Sequence, residues 1–388
     1  MRQDIIINST LSETRIAILE DGQLVELYVE RPEKERMVGS LYKGVVRKVA
    51  YGISAAFVDI GLSQDAFLHF SDIGGGNDLV KIAHEMDLEE AEEEVVHGGR
   101  SKNTYEHAEA PRLQRDDLKV GQEILVQVIK EPIGRKGPRV STQIALPGRY
   151  IVLVPNESFI GVSRKIANLK EKKRLRQIAQ TIRPKGFGII VRTLAEGKSD
   201  EELGKDVERV LKVWGDIENS LRRKKTPGLL YRDISLTSSL IRDLFSPEVS
   251  HLVVDSRKLY REIIQYLDEV SPSLKSRVEL YSSPIPIFDK FGIEAEIEKS
   301  LLPQLPLPSG GYINIEQTEA LVAIDVNSGR FQGKKDHEDN ALKVNLEAVR
   351  EICRQLRLRD IGGIIVIDFI DMAEEKHRRM VFEEMKRL

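Results

Sequence analysis

Two short apolar segments, ALVAIDVNSGR (320–330) and GGIIVIDFIDM (362–372), constrain the fold of this 388-residue chain more than any other feature. Each has the pattern of a buried strand, and residues 340–359 between them place apolar side chains at close to helical spacing. A strand–helix–strand unit is nearly always a right-handed crossover that joins two parallel strands. Both strands should therefore end at the same edge of one sheet, where ligands bind in open α/β sheets.

An aspartate lies near the exit of each strand, Asp325 in the first and Asp368 in the second. The crossover predicts that these two carboxylates lie side by side. Adjacent carboxylates repel each other unless something neutralises them. Mg²⁺ prefers one or two carboxylates together with phosphate oxygens and waters, an arrangement that suits phosphodiester hydrolysis. The alternative, that each aspartate caps the turn after its strand, stays open. Asp371 is expected on the opposite face, in a structural role.

Residues 1–35 alternate as strands do, and Asp21-Gly22 between two of these runs is a hairpin signal. A hairpin alone cannot bury its apolar face, so we expect these strands to pair with a later segment. Residues 36–145 contain five short strands with glycine turns, a pattern typical of a small barrel of the OB type. A polar, acidic stretch at about 74–117 interrupts them and is interpreted as a mobile insertion.

The rest of the chain mixes strands and helices, as expected for several domains of α/β and β structure. Residues 146–238 contain a basic helix and then a long amphipathic helix, which begins at Ser199 with Glu202 completing a capping box. Residues 239–300 contain two strands around a helix, and residues 301–388 carry the two aspartates.

The composition excludes several classes of protein. The single cysteine, Cys353, rules out a disulfide framework and a cysteine zinc site within this sequence, and it fits a reducing cytoplasm. No apolar run is long enough to span a bilayer, and the N-terminus lacks the pattern of a secretory signal. We therefore expect a cytoplasmic protein with no membrane-spanning segment.

Charge is distributed unevenly, although the net charge of −3 does not indicate a nucleic-acid-binding protein. Residues 87–94 read DLEEAEEE, whereas 164–183 is rich in Lys and Arg and 222–225 reads RRKK. Local basic patches matter more to a polyanion than the total charge does. The simpler interpretation is that each run is a solvated helix face.

Several long strings closely resemble the RNase E/G family of endoribonucleases. LPSGGYINIEQTEAL (307–321), LVAIDVNSGR and RQLRLRDIGGIIVIDFIDM are similar to its nuclease domain. YKGVVRKV, AAFVDIG and FLHFSDI match its OB-type RNA-binding domain, and GIIVRTLAEGKS matches its 5′-sensor. The resemblance covers essentially the whole chain. It implies a Mg²⁺-dependent enzyme of RNA processing and mRNA decay that cuts single-stranded RNA, leaves 5′-phosphate and 3′-hydroxyl ends, and is stimulated by a 5′-monophosphate.

The resemblance also implies an architecture of α/β and β domains. An RNase H-like structural domain is split between 1–35 and 239–300, which would give the N-terminal hairpin its missing partner. The OB-fold RNA-binding barrel, 36–145, is inserted into it and is followed by the 5′-sensor region, 146–238. A DNase I-like α/β nuclease domain, 301–388, carries the catalytic residues.

Site residues follow from the resemblance by position. Asp325 and Asp368 are implied to be the metal ligands, with Asn327 orienting the scissile phosphate or supporting Asp325. The residues implied to form a pocket for a 5′-monophosphate are Arg192, Thr193, Gly148, Val152 and Arg164. The barrel residues implied to hold RNA are Phe57, Phe67 and Lys136. The residues alone would instead favour a place for Phe57 in the barrel core, since aromatic side chains in strands are usually buried.

The sequence departs from the family in two ways. The acidic insertion is longer than the resemblance requires. The family's zinc-link, a CPxCxG-type motif, follows the nuclease domain, whereas this sequence stops at Leu388, so zinc is expected only in that absent region. The family forms homo-oligomers, dimers or tetramers, and we expect the same type of assembly here.

Two other functions compete with the nuclease. GIIVRTLAEGKS imitates a nucleotide-binding P-loop, but that motif requires glycine where this chain has Arg192, so we reject it. A non-catalytic RNA-binding regulator with an OB domain would use the barrel and the basic patches equally well. It gives no reason for paired aspartates at strand ends, and Mg²⁺-dependent RNA cleavage would separate it from a nuclease.

Overall fold

The structure is a computed structural model. It describes residues 2–31, 36–74, 118–132, 134, 136–232, 236–245, 248–329 and 337–388. All of the predicted acidic insertion except Gly74 lies outside these ranges. The chain divides into two compact units, one formed by Met1–Glu33 with Phe245–Leu388 and the other by Lys34–Leu244.

The strands are β1 (Gln3–Ser9), β2 (Thr14–Glu20), β3 (Gln23–Glu30), β4 (Leu41–Ala50), β5 (Ala55–Asp59), β6 (Ala66–His69), β7 (Glu123–Lys130), β8 (Arg139–Ser141), β9 (Leu146–Pro147), β10 (Ile151–Pro155), β11 (Ile160–Val162), β12 (Phe187–Val191), β13 (Gly228–Tyr231), β14 (Val249–Val254), β15 (Val278–Leu280), β16 (Gln304–Pro306), β17 (Tyr312–Gln317), β18 (Val322–Asn327) and β19 (Ile365–Asp368). The α-helices of the described ranges are α1 (Leu169–Ile182), α2 (Asp200–Arg223), α3 (Leu236–Leu244), α4 (Arg257–Val270), α5 (Ile287–Lys290), α6 (Ile293–Ser300), α7 (His337–Leu358) and α8 (Glu375–Arg387).

The N-terminal strands pair with a segment far along the chain, as the unpaired hairpin predicted. Their sheet runs β15-β14-β1-β2-β3, with β1 antiparallel to β2 and parallel to β14. Ile6 therefore lies between Ala17 and Val253, and all three side chains are buried in one cluster. Asp255, just after β14, accepts hydrogen bonds from the Ser9 backbone N–H and the Asn8 side chain, which is a structural role.

The second sheet of this unit runs β16-β17-β18-β19 and contains the strand–helix–strand unit read from the sequence. β18 and β19 are parallel, and α7 connects them and packs against the sheet. Apolar side chains from both elements form one core, which includes Ile313, Ile324, Val344, Ala348 and Ile352. On another side of α7, Arg354 donates to the Leu24 carbonyl oxygen at 3.0 Å and to Glu296 at 3.0 Å. The helix is therefore fixed to both sheets of the unit.

The Lys34–Leu244 unit contains a closed five-stranded barrel of the OB type within a mixed α/β chain, which confirms this part of the fold prediction. The strands pair in the order β4-β5-β6-β8-β7, and β7 pairs again with β4. Alternate residues of each strand point inward, among them Val46, Val58, Leu68, Val126 and Val140. β13 lies within the region predicted at 146–238, but it extends the barrel sheet beside β4.

A second sheet in this unit runs β11-β12-β10-β9 and packs against α1 and α2. Its core includes Leu153, Leu175, Ile189, Leu203 and Val207. The capping box predicted at the start of α2 is present, since Ser199 and Glu202 bond reciprocally. α3 spans the domain boundary predicted at 239, and its residues belong to this unit. No helix in the described part of the chain is long and apolar enough to cross a membrane.

Candidate functional site

The two strand-end aspartates are direct neighbours, which confirms the geometric prediction. In the parallel register of β18 and β19, Asp325 lies opposite Asp368. Both side chains are exposed, whereas Ile324 and Val326 on the other face of β18 are buried. The apolar alternation of β18 therefore fixes which face carries the carboxylate. β19 ends at Asp368, so the alternation argument does not extend to Asp371, which is exposed beyond the strand.

Asn327 supports Asp325 directly. Its side-chain N–H donates to Oδ2 of Asp325 at 2.6 Å. The two residues lie two positions apart in β18 and so share a face. This contact holds the carboxylate of Asp325 in one orientation, which matches one of the two roles expected for Asn327.

A buried amide, which the sequence reasoning did not identify, fixes the chain just after Asp368. Asn345 on α7 is fully buried, and its side chain donates to the Ile370 carbonyl oxygen at 2.9 Å and accepts from the Ile370 N–H at 3.1 Å. The amide thus takes the place of a strand partner where β19 has ended. The sequence does contain a signal for this residue, since Asn345 is a polar residue within the apolar stripe of a predicted helix.

The donor set at this edge fits a hard cation better than zinc. It consists of two neighbouring carboxylates and one amide, with no histidine or cysteine among these three residues. No group of three or more His, Cys, Asp or Glu suited to a metal occurs among the described residues. Mg²⁺ keeps several waters and needs only one or two carboxylates, whereas zinc sites use three or four protein ligands. The coarse expectation of a divalent-cation site is thus compatible with the residues present.

Phe57 and Phe67 form an aromatic pair on the outer face of the barrel. They are opposite each other across β5 and β6, with ring centroids 6.0 Å apart and planes at 74°. Both are partly exposed, while Ala56 and Leu68, their respective neighbours in sequence, are fully buried. The interpretation from the residues alone, which placed Phe57 in the core, is therefore wrong, because the inward positions of β5 are occupied by smaller side chains.

Lys136 lies just before the segment that pairs with β6, the strand of Phe67. It is exposed and precedes Gly137, where a Cβ atom would come within 2.0 Å of the Asp65 carbonyl oxygen. The backbone N–H of Phe67 donates to the carbonyl oxygen of Pro138 at 2.8 Å. The glycine permits this close approach, which brings Lys136 to the edge of β6 that carries Phe67.

Arg192 and Thr193 follow the end of β12, and neighbouring strands hold both. The Arg192 N–H donates to the Tyr150 carbonyl oxygen at 2.9 Å, and the Thr193 hydroxyl lies 2.8 Å from the Ser163 hydroxyl. Thr193 is exposed, while the Arg192 side chain is only 12% exposed. Arg164, in the turn just after Ser163, is half-buried. The structure therefore groups Arg192, Thr193 and Arg164 at one edge of this sheet.

The guanidinium of Arg192 has a carboxylate partner that the sequence did not reveal. Its Nη1 donates to Oδ1 of Asp243 on α3 at 2.5 Å and to the carbonyl oxygen of Gly148 at 2.9 Å. Burial would raise the pKa of Asp243, but Arg192 and Arg242 outweigh that effect and hold the pKa below its usual value. The ion pair is therefore formed at neutral pH.

Gly148 is required by the close approach of a second buried carboxylate. Asp206 on α2 is 1% exposed and accepts from the N–H groups of Tyr150 at 2.7 Å and Ile151 at 3.2 Å. Arg209 balances its charge at 3.1 Å. A Cβ atom on Gly148 would lie 2.4 Å from Oδ2 of Asp206. Glycine thus lets the chain pass over the carboxylate and offer its carbonyl oxygen to Arg192.

Val152 does not reach this group. Its side chain is fully buried in a small cluster with Ala145, Val154 and Ile190. A side chain in that position cannot line a solvent-accessible pocket. Of the five residues assigned to the pocket, Gly148 contributes a carbonyl oxygen, and Val152 contributes to the core of the sheet.

Comparisons with known proteins agree with the sequence resemblance. The sequence model described as the Ribonuclease E/G family matches residues 145–388. Ribonuclease G of Escherichia coli is 38% identical over 386 residues, which cover 100% of this chain and 75% of that relative. Ribonuclease G of Haemophilus influenzae is 38% identical over 98% of this chain and 74% of its own length. Ribonuclease E of a Nostoc species is 38% identical over 96% of this chain and 50% of its own length.

The contact between Gly148 and Asp206 generates a test of the loop. Gly148→Ala should lower stability by roughly 1–3 kcal/mol, because the added methyl overlaps a carboxylate that two N–H groups hold in place. Urea unfolding would measure the loss. Gly204→Ala is the matched control, since Gly204 lies in α2 with nothing within 4 Å of the added atom. That variant should gain up to about 1 kcal/mol. Equal stability of both variants would contradict the proposed overlap.

Proposed function

We propose, since this chain belongs to the ribonuclease E/G family, that it is an endoribonuclease whose reaction centre is formed by Asp325 and Asp368. The observation that carries the proposal is the register of β18 and β19, which makes the two carboxylates neighbours at an exposed sheet edge. A cap for the following turn would not require the two aspartates to be opposite each other. The hydrogen bond from Asn327 further supports a fixed orientation for Asp325.

In this mechanism Asp325 and Asp368 would hold Mg²⁺, and the hydrogen bond from Asn327 keeps the carboxylate of Asp325 in one orientation. A bound Mg²⁺ would supply an activated water and neutralise negative charge at the scissile phosphate. Asn345 supports Asp368 indirectly by fixing the backbone at Ile370. Attack of water on the phosphorus would break its bond to the 3′-oxygen, which takes up a proton from solvent, and would leave a 5′-phosphate and a 3′-hydroxyl, the products expected for this family.

Single-stranded RNA is the substrate that the barrel surface favours. The partly exposed rings of Phe57 and Phe67 can stack on unpaired bases whatever their sequence, because every base has a π-face. Lys136 at the same edge offers a positive charge to the backbone phosphates.

A 5′-monophosphate is proposed to bind at Arg192 and Thr193, with Arg164 in support. Arginine gives a bidentate, charge-assisted grip on a phosphate, and the exposed threonine hydroxyl adds a donor. Gly148 takes part through its carbonyl oxygen, which orients Arg192. Val152 has no direct role in this proposal, because its side chain is buried.

The subdomain names follow the same family. We assign the sheet of β1–β3, β14 and β15 to an RNase H-like domain, and β16–β19 with α7 to a DNase I-like nuclease domain. The sheet of β9–β12 with α1 and α2 is assigned to the 5′-sensor. Homo-oligomerisation is proposed as well, and sedimentation at several protein concentrations would test it.

A non-catalytic RNA-binding regulator is the remaining alternative. It would use Phe57, Phe67 and Lys136 in the same way, but it gives no reason for the neighbouring carboxylates. Incubation of the protein with a 5′-monophosphorylated oligonucleotide separates the two, because only the nuclease produces Mg²⁺-dependent cleavage that EDTA abolishes.

Asp325→Asn and Asp368→Asn should each reduce turnover by orders of magnitude while RNA binding is retained. Loss of a metal ligand removes several kcal/mol of transition-state stabilisation, whereas the barrel that binds RNA is unchanged. The measurement is kcat at saturating Mg²⁺ together with the RNA Kd. Asp371→Asn, an exposed aspartate outside the pair, is the control and should keep near-normal activity. Near-normal turnover of either ligand variant would overturn the assignment.

Phe57→Ala and Phe67→Ala should each weaken RNA binding by roughly 1–3 kcal/mol, the cost of one lost stacking contact. The melting temperature should change little, because both rings are partly exposed. Leu68→Ala is the contrasting variant, since its fully buried side chain should cost about 2–5 kcal/mol of stability instead. A large drop in melting temperature for either phenylalanine variant would identify that ring as core.

Arg192→Ala should remove most of the preference for a 5′-monophosphorylated oligonucleotide over its 5′-hydroxyl counterpart. Loss of a charge-assisted phosphate contact costs roughly 1.5–3 kcal/mol, about one to two orders of magnitude in kcat/KM. Arg192→Lys keeps the charge but loses the planar fork, so it should recover only part of the preference. The ratio of kcat/KM for the two substrates should be measured with the oligomeric state. Equal losses on both substrates would make Arg192 a general structural or RNA-binding residue.

A further inference from the structure

In the part of the chain that the structure describes, the guanidinium of Arg192 is held through one of its terminal nitrogens. Nη1 donates both to Asp243 at 2.5 Å and to the Gly148 carbonyl oxygen at 2.9 Å. A guanidinium carries five N–H donors in a rigid plane, so two contacts at one nitrogen fix the orientation of the whole group. Within the described residues, neither Nη2 nor Nε of Arg192 donates to a protein acceptor. The edge formed by Nη2 and Nε is therefore available for a bidentate contact with a phosphate.

Both partners of Nη1 are themselves fixed. Arg242 donates to the two oxygens of Asp243 from Nε and Nη2, each at 3.1 Å. The Gly148 segment is held by Asp206 through the N–H groups of Tyr150 and Ile151. The carboxylate of Asp243 and the carbonyl oxygen of Gly148 are therefore each held in place by contacts other than the one with Arg192. Such a preorganised arrangement reduces the entropy lost when a ligand binds.

We propose that Asp243 is a positioning residue for a terminal phosphate: it holds Nη1 of Arg192 so that the opposite edge of the guanidinium faces the 5′-phosphate of RNA. The inference rests on the proposed binding of a 5′-monophosphate at Arg192. Asp243 would thus influence specificity from α3 through Arg192, since the carboxylate bonds to Arg192 and Arg242 among the described residues. The lowered pKa of Asp243 is consistent with a carboxylate that stays charged whenever Arg192 binds phosphate.

The same contact could also have the opposite effect, if Asp243 competed with the phosphate for Arg192. If Asp243 occupied the part of Arg192 that phosphate needs, its removal would free Arg192 and increase the preference for a 5′-monophosphate. Positioning predicts a decrease, because an unheld arginine side chain must lose rotamer freedom on binding. The sign of the change therefore separates the two roles. The geometry favours positioning, since the carboxylate and the available edge lie at different nitrogens of the guanidinium.

The test compares wild type, Asp243→Ala and Asp243→Asn on one oligonucleotide with either a 5′-monophosphate or a 5′-hydroxyl. The alanine variant should lose about tenfold in the ratio of the two kcat/KM values, mainly through a higher KM for the monophosphorylated substrate. The asparagine variant keeps an oxygen acceptor without the charge, so its loss should be smaller. Asp216→Asn, an exposed aspartate on α2, is the control and should keep the wild-type ratio.

A combined variant tests whether Asp243 acts through Arg192. In the Arg192→Ala background, Asp243→Ala should change the ratio no further, whereas an independent role would produce an additional loss. The inference is overturned if the ratio is unchanged or increased in folded Asp243→Ala protein, if it is increased in folded Asp243→Asn protein, or if both substrates lose equally. Its failure is distinct from failure of 5′-end sensing itself. If only the role of Asp243 is wrong, the wild-type enzyme still prefers the 5′-monophosphorylated substrate. If 5′-end sensing itself is wrong, the wild-type enzyme cuts both substrates equally, and that result overturns both proposals.

Discussion

The parallel register between β18 and β19 is the constraint on which the reaction centre depends. Side chains alternate along a strand, so a slip of one residue would turn Asp368 away from Asp325 and expose apolar residues. The core between this sheet and α7 prevents such a slip, because Ile324, Val344 and Ile352 fill it from both sides. Asn345 then fixes the chain immediately after the strand. Packing on the buried face thus sets the geometry of the exposed carboxylates.

Helix α7 also contacts the N-terminal sheet. Arg354, which is 14% exposed, bonds to the Leu24 carbonyl oxygen and to Glu296, and Glu351 on the same helix holds it bidentately. Burying an ion pair of this kind has a desolvation cost. Removing one partner strongly destabilises the protein, because the other charge is left buried and uncompensated. The main effect of these ion pairs is to fix the position of the helix, and their net contribution to stability is small. The same element therefore supports the candidate active site and joins the two sheets of the unit.

Carboxylates organise the other unit in a similar way. Asp206 gathers two backbone N–H groups and Arg209, and Asp243 gathers Arg192 and Arg242. Each buried or half-buried charge is balanced by an arginine, so that the cost of burial is offset. Between them these carboxylates fix the loop and the guanidinium that meet at Gly148. Specific binding at this edge of the sheet would rest on residues that never touch the ligand.

The sequence by itself determined the strand–helix–strand unit, the neighbouring aspartates, the OB-type barrel and the capping box at Ser199. These features follow from side-chain periodicity and short-range chemistry, which a single segment of chain records. Only the tertiary structure decided that Phe57 is partly exposed, that Val152 is core and that Asp243 holds Arg192. Burial and ion pairing depend on which distant segments fill the space around a side chain. The alternation along a strand predicts which residues share a face. The packing of α3 and of the neighbouring strands determines which side chains contact that face.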